Sequence, residues 1–131
     1  MKSQSRHVGV LDDSSEFQQL VQVMLNYVGI DQISHWTASV EALPELIKSP
    51  PDLLILDVMM SGLTGLTVWN ELRHTPSTRT LPIVVCTAAV NSIVEDEVRL
   101  QEDPHTVVLP KPFTLDELQA ALTQLVPRWY A

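Results

Sequence analysis

Pro51-Asp52-Leu53-Leu54-Ile55-Leu56-Asp57-Val58-Met59-Met60 is the stretch that decides the fold. The apolar run Leu53 to Leu56 is too short for a helix and suits a strand buried on both faces. Such a strand belongs to the middle of a parallel sheet, and where it leaves the sheet the chain places a carboxylate, Asp57. In open parallel sheets, ligands and chemistry gather outside the carboxyl ends of the strands. An Asp closing a strand also serves simply to cap the next turn, so the meaning of Asp57 rests on its neighbours.

Outward from this strand, strand-like and helix-like segments alternate. His7 to Leu11 is a short apolar strand stopped by Asp12-Asp13-Ser14-Ser15. Ser14 or Ser15 can cap a helix whose apolar positions are Phe17, Leu20, Val21, Met24, Leu25 and Val28, ended by Gly29. Gln32 to Trp36 reads as a weak edge strand, and Ser39 to Lys48 as a helix with Pro44 in conflict inside it. Either that helix starts later, with Pro44 in its first turn, or it kinks there.

After Asp57 and its loop, a third helix runs from about Leu66 to His74, then a strand from Ile83 to Cys86. A fourth helix begins at Asn91 or Ser92 and reaches about Leu100, and Thr106 to Leu109 is the fifth strand. Thr114 with Glu117 forms a capping box for the last helix, which Pro127 stops. Strands spaced by helices imply right-handed crossovers and helices on both sheet faces. The expected fold is a three-layer α/β domain: a flavodoxin-like, doubly wound sheet of five parallel strands in order 2-1-3-4-5, with five helices.

With 131 residues the chain is expected to be one domain (1–131), with its core at about 7–126 and 127–131 as a tail or the start of a linker. Trp129 and Tyr130 in that tail read as linker, partner contact or frayed end. The single cysteine, Cys86, lies in an apolar strand and reads as a buried, reduced packing residue, which points to the cytoplasm. No stretch is apolar over a bilayer's thickness, and Met1 to Arg6 lacks the apolar core of a secretory signal. Sixteen acidic residues against eight basic give a net charge of −8, which argues against direct nucleic-acid binding.

The residues after each inner strand carry the chemistry. They are Asp12 and Asp13, then Asp57, Thr87 and Lys111, and all would converge on one sheet edge. Three crowded carboxylates repel and need a cation or a proton to coexist. A hard divalent ion with oxygen ligands, Mg²⁺ or Mn²⁺, suits them. A carboxylate beside a metal, a Lys and a hydroxyl suits phosphoryl transfer, with the carboxylate as nucleophile. Each residue alone has an ordinary explanation, but five at successive strand ends point to a site.

From about His7 to Leu125 the chain resembles the receiver domains of two-component response regulators. The resemblance is carried by Asp12-Asp13, Asp52 to Asp57, the loop Met60-Ser61-Gly62-Leu63-Thr64-Gly65, Thr87-Ala88 and Lys111-Pro112-Phe113. It implies that Asp57 accepts a phosphoryl group from a phosphohistidine on a sensor histidine kinase or a phosphotransfer protein. It also implies that Asp12, Asp13, Asp57 and the backbone carbonyl of Met59 hold Mg²⁺, and that Lys111 and Thr87 contact the phosphoryl oxygens. Lys111-Pro112 would be a cis peptide. The implied output surface is the face of the fourth helix, fifth strand and fifth helix, toward an output domain or effector. Its Glu95, Asp96, Glu97, Glu102, Asp116 and Glu117 outnumber Arg99, which fits a basic or apolar partner, or simply a solvated acidic face, better than a salt-bridged symmetric dimer.

Departures from the pattern are specific. Ser61 and Thr64 replace a common Pro and acid in the loop, while Gly65 is kept. Val108 stands where such domains usually carry a Tyr or Phe, and a Val cannot swing between buried and exposed positions as a ring does. Met59 and Ala89 flank the expected path of a hydrolytic water without any hydrogen-bonding group, which implies slow autodephosphorylation. The chain is read as a phosphoacceptor, not an enzyme turning over an external substrate. A haloacid-dehalogenase chemistry needs a second Asp at position 59, and a flavodoxin phosphate loop would clash with Asp12-Asp13, so both fail. The remaining alternative is a receiver-like interaction module that works without phosphorylation.

Overall fold

The computed structural model describes residues 6–58, 64–87 and 99–130. In chain order these form β1 (His7–Leu11), α1 (Ser15–Tyr27), β2 (Gln32–Trp36), α2 (Ser39–Lys48), β3 (Leu53–Asp57), α3 (Gly65–Arg73) and β4 (Ile83–Thr87). A helical segment at 99–102 (α4), β5 (Thr106–Pro110) and α5 (Leu115–Leu125) follow. The five strands are parallel, in order β2-β1-β3-β4-β5. This is the flavodoxin-like, doubly wound sheet that the alternation of segments predicts. The expected start of the fourth helix, at Asn91 or Ser92, lies outside the described residues.

Every residue of β3 is buried, because the strand is central and both of its faces are covered. Leu53 and Ile55 join one core with Val21 and Leu25 of α1 and Leu118, Ala121 and Leu122 of α5. Leu54 and Leu56 join the other, with Ala42 and Leu46 of α2, Val68, Trp69 and Leu72 of α3 and Leu100 of α4. The period-2 alternation of a strand thus sends successive side chains into opposite cores. Each of these fully buried aliphatic side chains contributes about 1.5–3 kcal/mol by leaving water. β2, more polar, lies at the edge with no fully buried residue.

Local chemistry explains the ends of the elements. Ser14 rather than Ser15 caps α1, its Oγ accepting from the Phe17 N–H at 3.1 Å. Gly29, at φ 92°, supplies the left-handed conformation that lets the chain turn into β2. Thr114 and Glu117 form both bonds of the expected capping box, at 3.1 and 2.8 Å. α3 starts and ends one residue earlier than its periodicity suggests, because Thr64 caps it. α2 begins at Ser39 in spite of Pro44, which lies inside it on the exposed side. The carbonyl that loses its partner belongs to exposed Val40, where water can satisfy it.

The end of the chain joins the core. A 3₁₀ turn at Pro127–Trp129 follows α5, and Trp129 is 2% exposed within the α1/α5 core. Arg6 donates to the Trp129 carbonyl at 2.8 Å, and the Tyr130 hydroxyl donates to the Val28 carbonyl at 3.3 Å. Burial of Trp129 is none of the readings expected for it, which are linker, partner contact or frayed end.

At the far end of the sheet from Asp57, Arg73 holds three elements together. Its Nε lies 2.5 Å from Asp103 Oδ2, and its Nη2 donates to the His105 carbonyl at 3.1 Å and to Thr106 Oγ1 at 3.2 Å. Trp69 Nε1 donates to the same Thr106 hydroxyl at 3.0 Å. Burial pushes the Asp103 carboxyl up. The Arg73 and Thr106 side-chain bonds, the His105 N–H and the Arg73 charge more than offset this and hold it below the usual carboxylate range.

Candidate functional site

Two strand ends bring the acids together. Asp57 closes β3 and is 4% exposed; Asp12 follows β1 and is 1% exposed; Asp13 is exposed beside it. One carboxylate oxygen from each of Asp12, Asp13 and Asp57 lies within 4.8 Å of the others. The Asp12 side chain is tied on both oxygens: Oδ1 accepts from the Ser14 N–H at 2.8 Å, and Oδ2 from Lys111 Nζ at 2.7 Å. Lys111 Nζ also stands 3.6 Å from Asp57 Oδ2. In this arrangement the ammonium neutralises Asp12 more closely than Asp57.

Lys111 is positioned by the chain around it. Pro110 has no N–H, and the strand ladder resumes at Lys111, whose N–H donates to the Thr87 carbonyl at 2.8 Å. The Lys111-Pro112 peptide is cis. The ammonium sits 3.9 Å from the centroid of the Phe17 ring, a cation–π contact, and Phe17 meets Phe113 edge-on at 5.8 Å. The lysine stem lines an apolar hollow of about 270 Å³ with Phe17, Leu20, Met24, Pro112 and Phe113. Burial disfavours the charged amine, but the hydrogen bond and charge of Asp12, with the charge of Asp57, prevail and raise Lys111 above its ordinary value. It therefore stays a cation throughout the neutral range.

Thr87 is fully buried at the end of β4, one residue beyond the Asp57↔Cys86 pairing, so it closes the strand next to that of Asp57. Cys86 is fully buried, with Sγ 3.7 Å from the Leu56 carbonyl, and burial raises its thiol well above the ordinary range. It is a packing residue. Met59 and Ala89 lie outside the described residues. Val108 is partly buried against the α2/α3 core. Arg99 of α4 faces α3, 5.5 Å over the Trp69 ring, with Nη2 donating to Asn70 Oδ1 at 3.0 Å.

Two residues near the acids were not singled out for the site by the sequence. The helical spacing makes Phe17 an ordinary core position of α1, yet its ring supports the lysine. Gln18, 5% exposed, is a polar residue on the buried stripe that it shares with Val21 and Leu25. That placement was visible in the helical spacing, since a polar residue at a core position is the informative exception.

Residues 8–123 match the family model of the response regulator receiver domain. The response regulator MprA of Mycobacterium avium (strain 104) is 37% identical over 120 residues, covering 91% of this chain and 50% of that protein. The chain therefore spans about half the length of the curated relatives it matches. A Chloroflexus aurantiacus J-10-fl chain described as a response regulator superposes with a TM-score of 0.82 at 27% identity, covering 95% of this chain and 100% of its own. The receiver domain of the Pseudomonas aeruginosa PAO1 sensor histidine kinase PA1611, solved with a magnesium ion in its active-site cleft, gives 0.81 at 22% identity, covering 95% of this chain and 99% of its own. At that identity it supports the fold. No helix among the described residues is long and apolar enough to cross a membrane. This chain belongs to the response regulator receiver domains of two-component signalling, which are signalling modules and not enzymes that turn over a substrate.

Proposed function

We propose that Asp57 is the phosphoacceptor and that Asp12, Asp13 and Asp57, with the Met59 carbonyl, hold a Mg²⁺ or Mn²⁺ ion. The reading is supported by one observation above all: three carboxylate oxygens within 4.8 Å of one another, with an ammonium 3.6 Å from Asp57. The donor set fits a hard divalent cation, because it is all oxygen and exposed Asp13 leaves one side open to water ligands. A bound divalent cation would neutralise charge on the phosphoryl group and so supply electrostatic stabilisation.

The protein's own residues do the rest. An Asp57 carboxylate oxygen attacks phosphorus and forms the acyl-phosphate P–O bond. The P–N bond to the donor's histidine breaks, and the imidazole leaves with the bonding pair. Lys111, already near Asp57, shifts its attraction from Asp12 to the incoming phosphoryl oxygens, and the Thr87 hydroxyl donates to them. The donor is the phosphohistidine of a sensor histidine kinase or phosphotransfer protein, which places the reaction in the cytoplasm. The output surface is the face of α4, β5 and α5, turned toward an output domain or effector, with no direct role in nucleic-acid binding.

Incubation with acetyl phosphate and Mg²⁺, followed by intact mass, tests this. The native protein gains one phosphoryl mass that hydroxylamine removes, and Asp57→Asn gains none. An unmodified native protein that still binds a kinase or effector would instead support an interaction module working without phosphorylation.

A further inference from the structure

We propose that Gln18 is a positioning residue for the acid pair: its amide sets the peptide plane between Asp12 and Asp13, and so the angle at which the two carboxylates meet a divalent cation. This rests on the reading of those acids as metal ligands. Gln18 Nε2 lies 3.0 Å from the Asp12 carbonyl and 2.7 Å from the Trp36 carbonyl. Carbonyls only accept, so this end of the amide is the NH₂ group, and both of its protons are used. The opposite end, Oε1, then faces His35 Nδ1, which must donate to it. His35 Nε2 in turn lies 3.0 Å from the Gln22 side chain. The amide thus has a single orientation, held from both sides.

The position of the bond matters. The Asp12 carbonyl belongs to the peptide unit that joins Asp12 to Asp13. The Asp12 N–H is fixed separately, donating to the same Trp36 carbonyl at 3.1 Å. With the Asp12 side chain held by Ser14 and Lys111, the Gln18 bond fixes the remaining polar group of that residue. Without it, the carbonyl of the plane leading to exposed Asp13 loses this donor. Partners that orient metal ligands from behind typically change metal affinity by about 10–100-fold when removed.

Gln18→Met keeps the length and volume of the side chain and removes the donor. Mg²⁺ titration by calorimetry on folded protein is expected to show affinity at least about tenfold weaker than native. The Asp13 amide resonance, from the same peptide unit, is expected to shift before any ion is added. A purely structural tie would lower the melting temperature and leave the Mg²⁺ affinity of the folded protein unchanged. Affinity within about twofold of native therefore overturns the proposal. If Gln18→Met does not fold, Gln18→Asn decides: it keeps the amide but shortens its reach to the Asp12 carbonyl, so weaker Mg²⁺ binding by the folded protein supports the proposal and binding within about twofold of native overturns it. If the native protein itself binds no Mg²⁺, the metal-site reading fails, a result distinct from failure of the Gln18 role alone.

Discussion

Gly65, the first residue of α3, lies directly against the backbone of Asp57. A Cβ at Gly65 would stand 2.5 Å from Val58 Cα and 2.7 Å from the Asp57 carbonyl carbon, and would overlap the Asp57 carbonyl oxygen. The glycine is thus required by contact with the strand that carries the proposed phosphoacceptor, not by an unusual φ. Gly65→Ala is expected to cost about 1–3 kcal/mol by overpacking. Because two of the three displaced atoms belong to Asp57, phosphorylation by acetyl phosphate should fall further than the loss of folded protein explains. Urea melts alongside rates of mass gain measure the two effects; equal losses would remove the special link.

Lys111 and a divalent cation would draw on the same carboxylates. Lys111→Met removes a positive charge 2.7 Å from Asp12 and 3.6 Å from Asp57. The expectation is several-fold tighter Mg²⁺ binding together with slower phosphorylation, since the ammonium is lost as a partner for the phosphoryl oxygens. Calorimetry and mass-gain kinetics on the same protein check the two opposite signs.

Acid should weaken the fold partly through Asp103. Its folded-state pKa is lowered from 3.8, so the unfolded chain binds the proton more readily. The stabilisation is therefore fully present above the ordinary value and is lost as pH falls through the lower folded value. Asp103→Asn, which leaves Arg73 without its charged partner, should lose about 2 kcal/mol at neutral pH. As pH falls through the lowered folded value, its stability should converge on that of the native protein. Melts at closely spaced pH values test this; a constant gap down to strong acid contradicts it.

Trp129 separates a packed end from a linker. Trp129→Ala is expected to destabilise the domain by about 3–5 kcal/mol, as for other buried aromatic side chains. A melt unchanged by the substitution would show that the turn after α5 contributes nothing to the core.

Met59 bears on how long a phosphoryl group would persist. Met59→Asn or Met59→Glu introduces a group able to orient water, and phosphate loss should accelerate several-fold. Decay of the phosphorylated mass after removal of donor measures it, and an unchanged half-life would rule out water positioning as the limit.

The sheet and its order were legible because the buried strand, the two acid-closed strand ends and the capped helices follow simple periodicities. Strand-end residues were legible for the same reason: parallel strands deliver them all to one edge. What the sequence hid were contacts between elements. The helical spacing puts Gln18 on the buried stripe of α1, but not against the three backbone carbonyls that surround its amide. Phe17 gave no sign that it would face an ammonium from a residue nearly a hundred positions later. The end of the chain was read as a tail because Pro127 stops the helix, and only tertiary packing shows that Trp129 fills a gap between α1 and α5. Pro44 left open a later start or a kink for α2, and the helix nevertheless begins at Ser39, because a lost hydrogen bond on the wet side of a helix is cheap.

The clustered side chains at the strand ends set a rule of valence. Three ionised carboxylates facing one ammonium leave the cluster two charges short of neutrality. A monovalent ion would leave an excess negative charge to repel an arriving phosphate, whereas one divalent ion would cancel it. In a protein whose surface is already anionic, the pocket would therefore choose its ion by charge as well as by size.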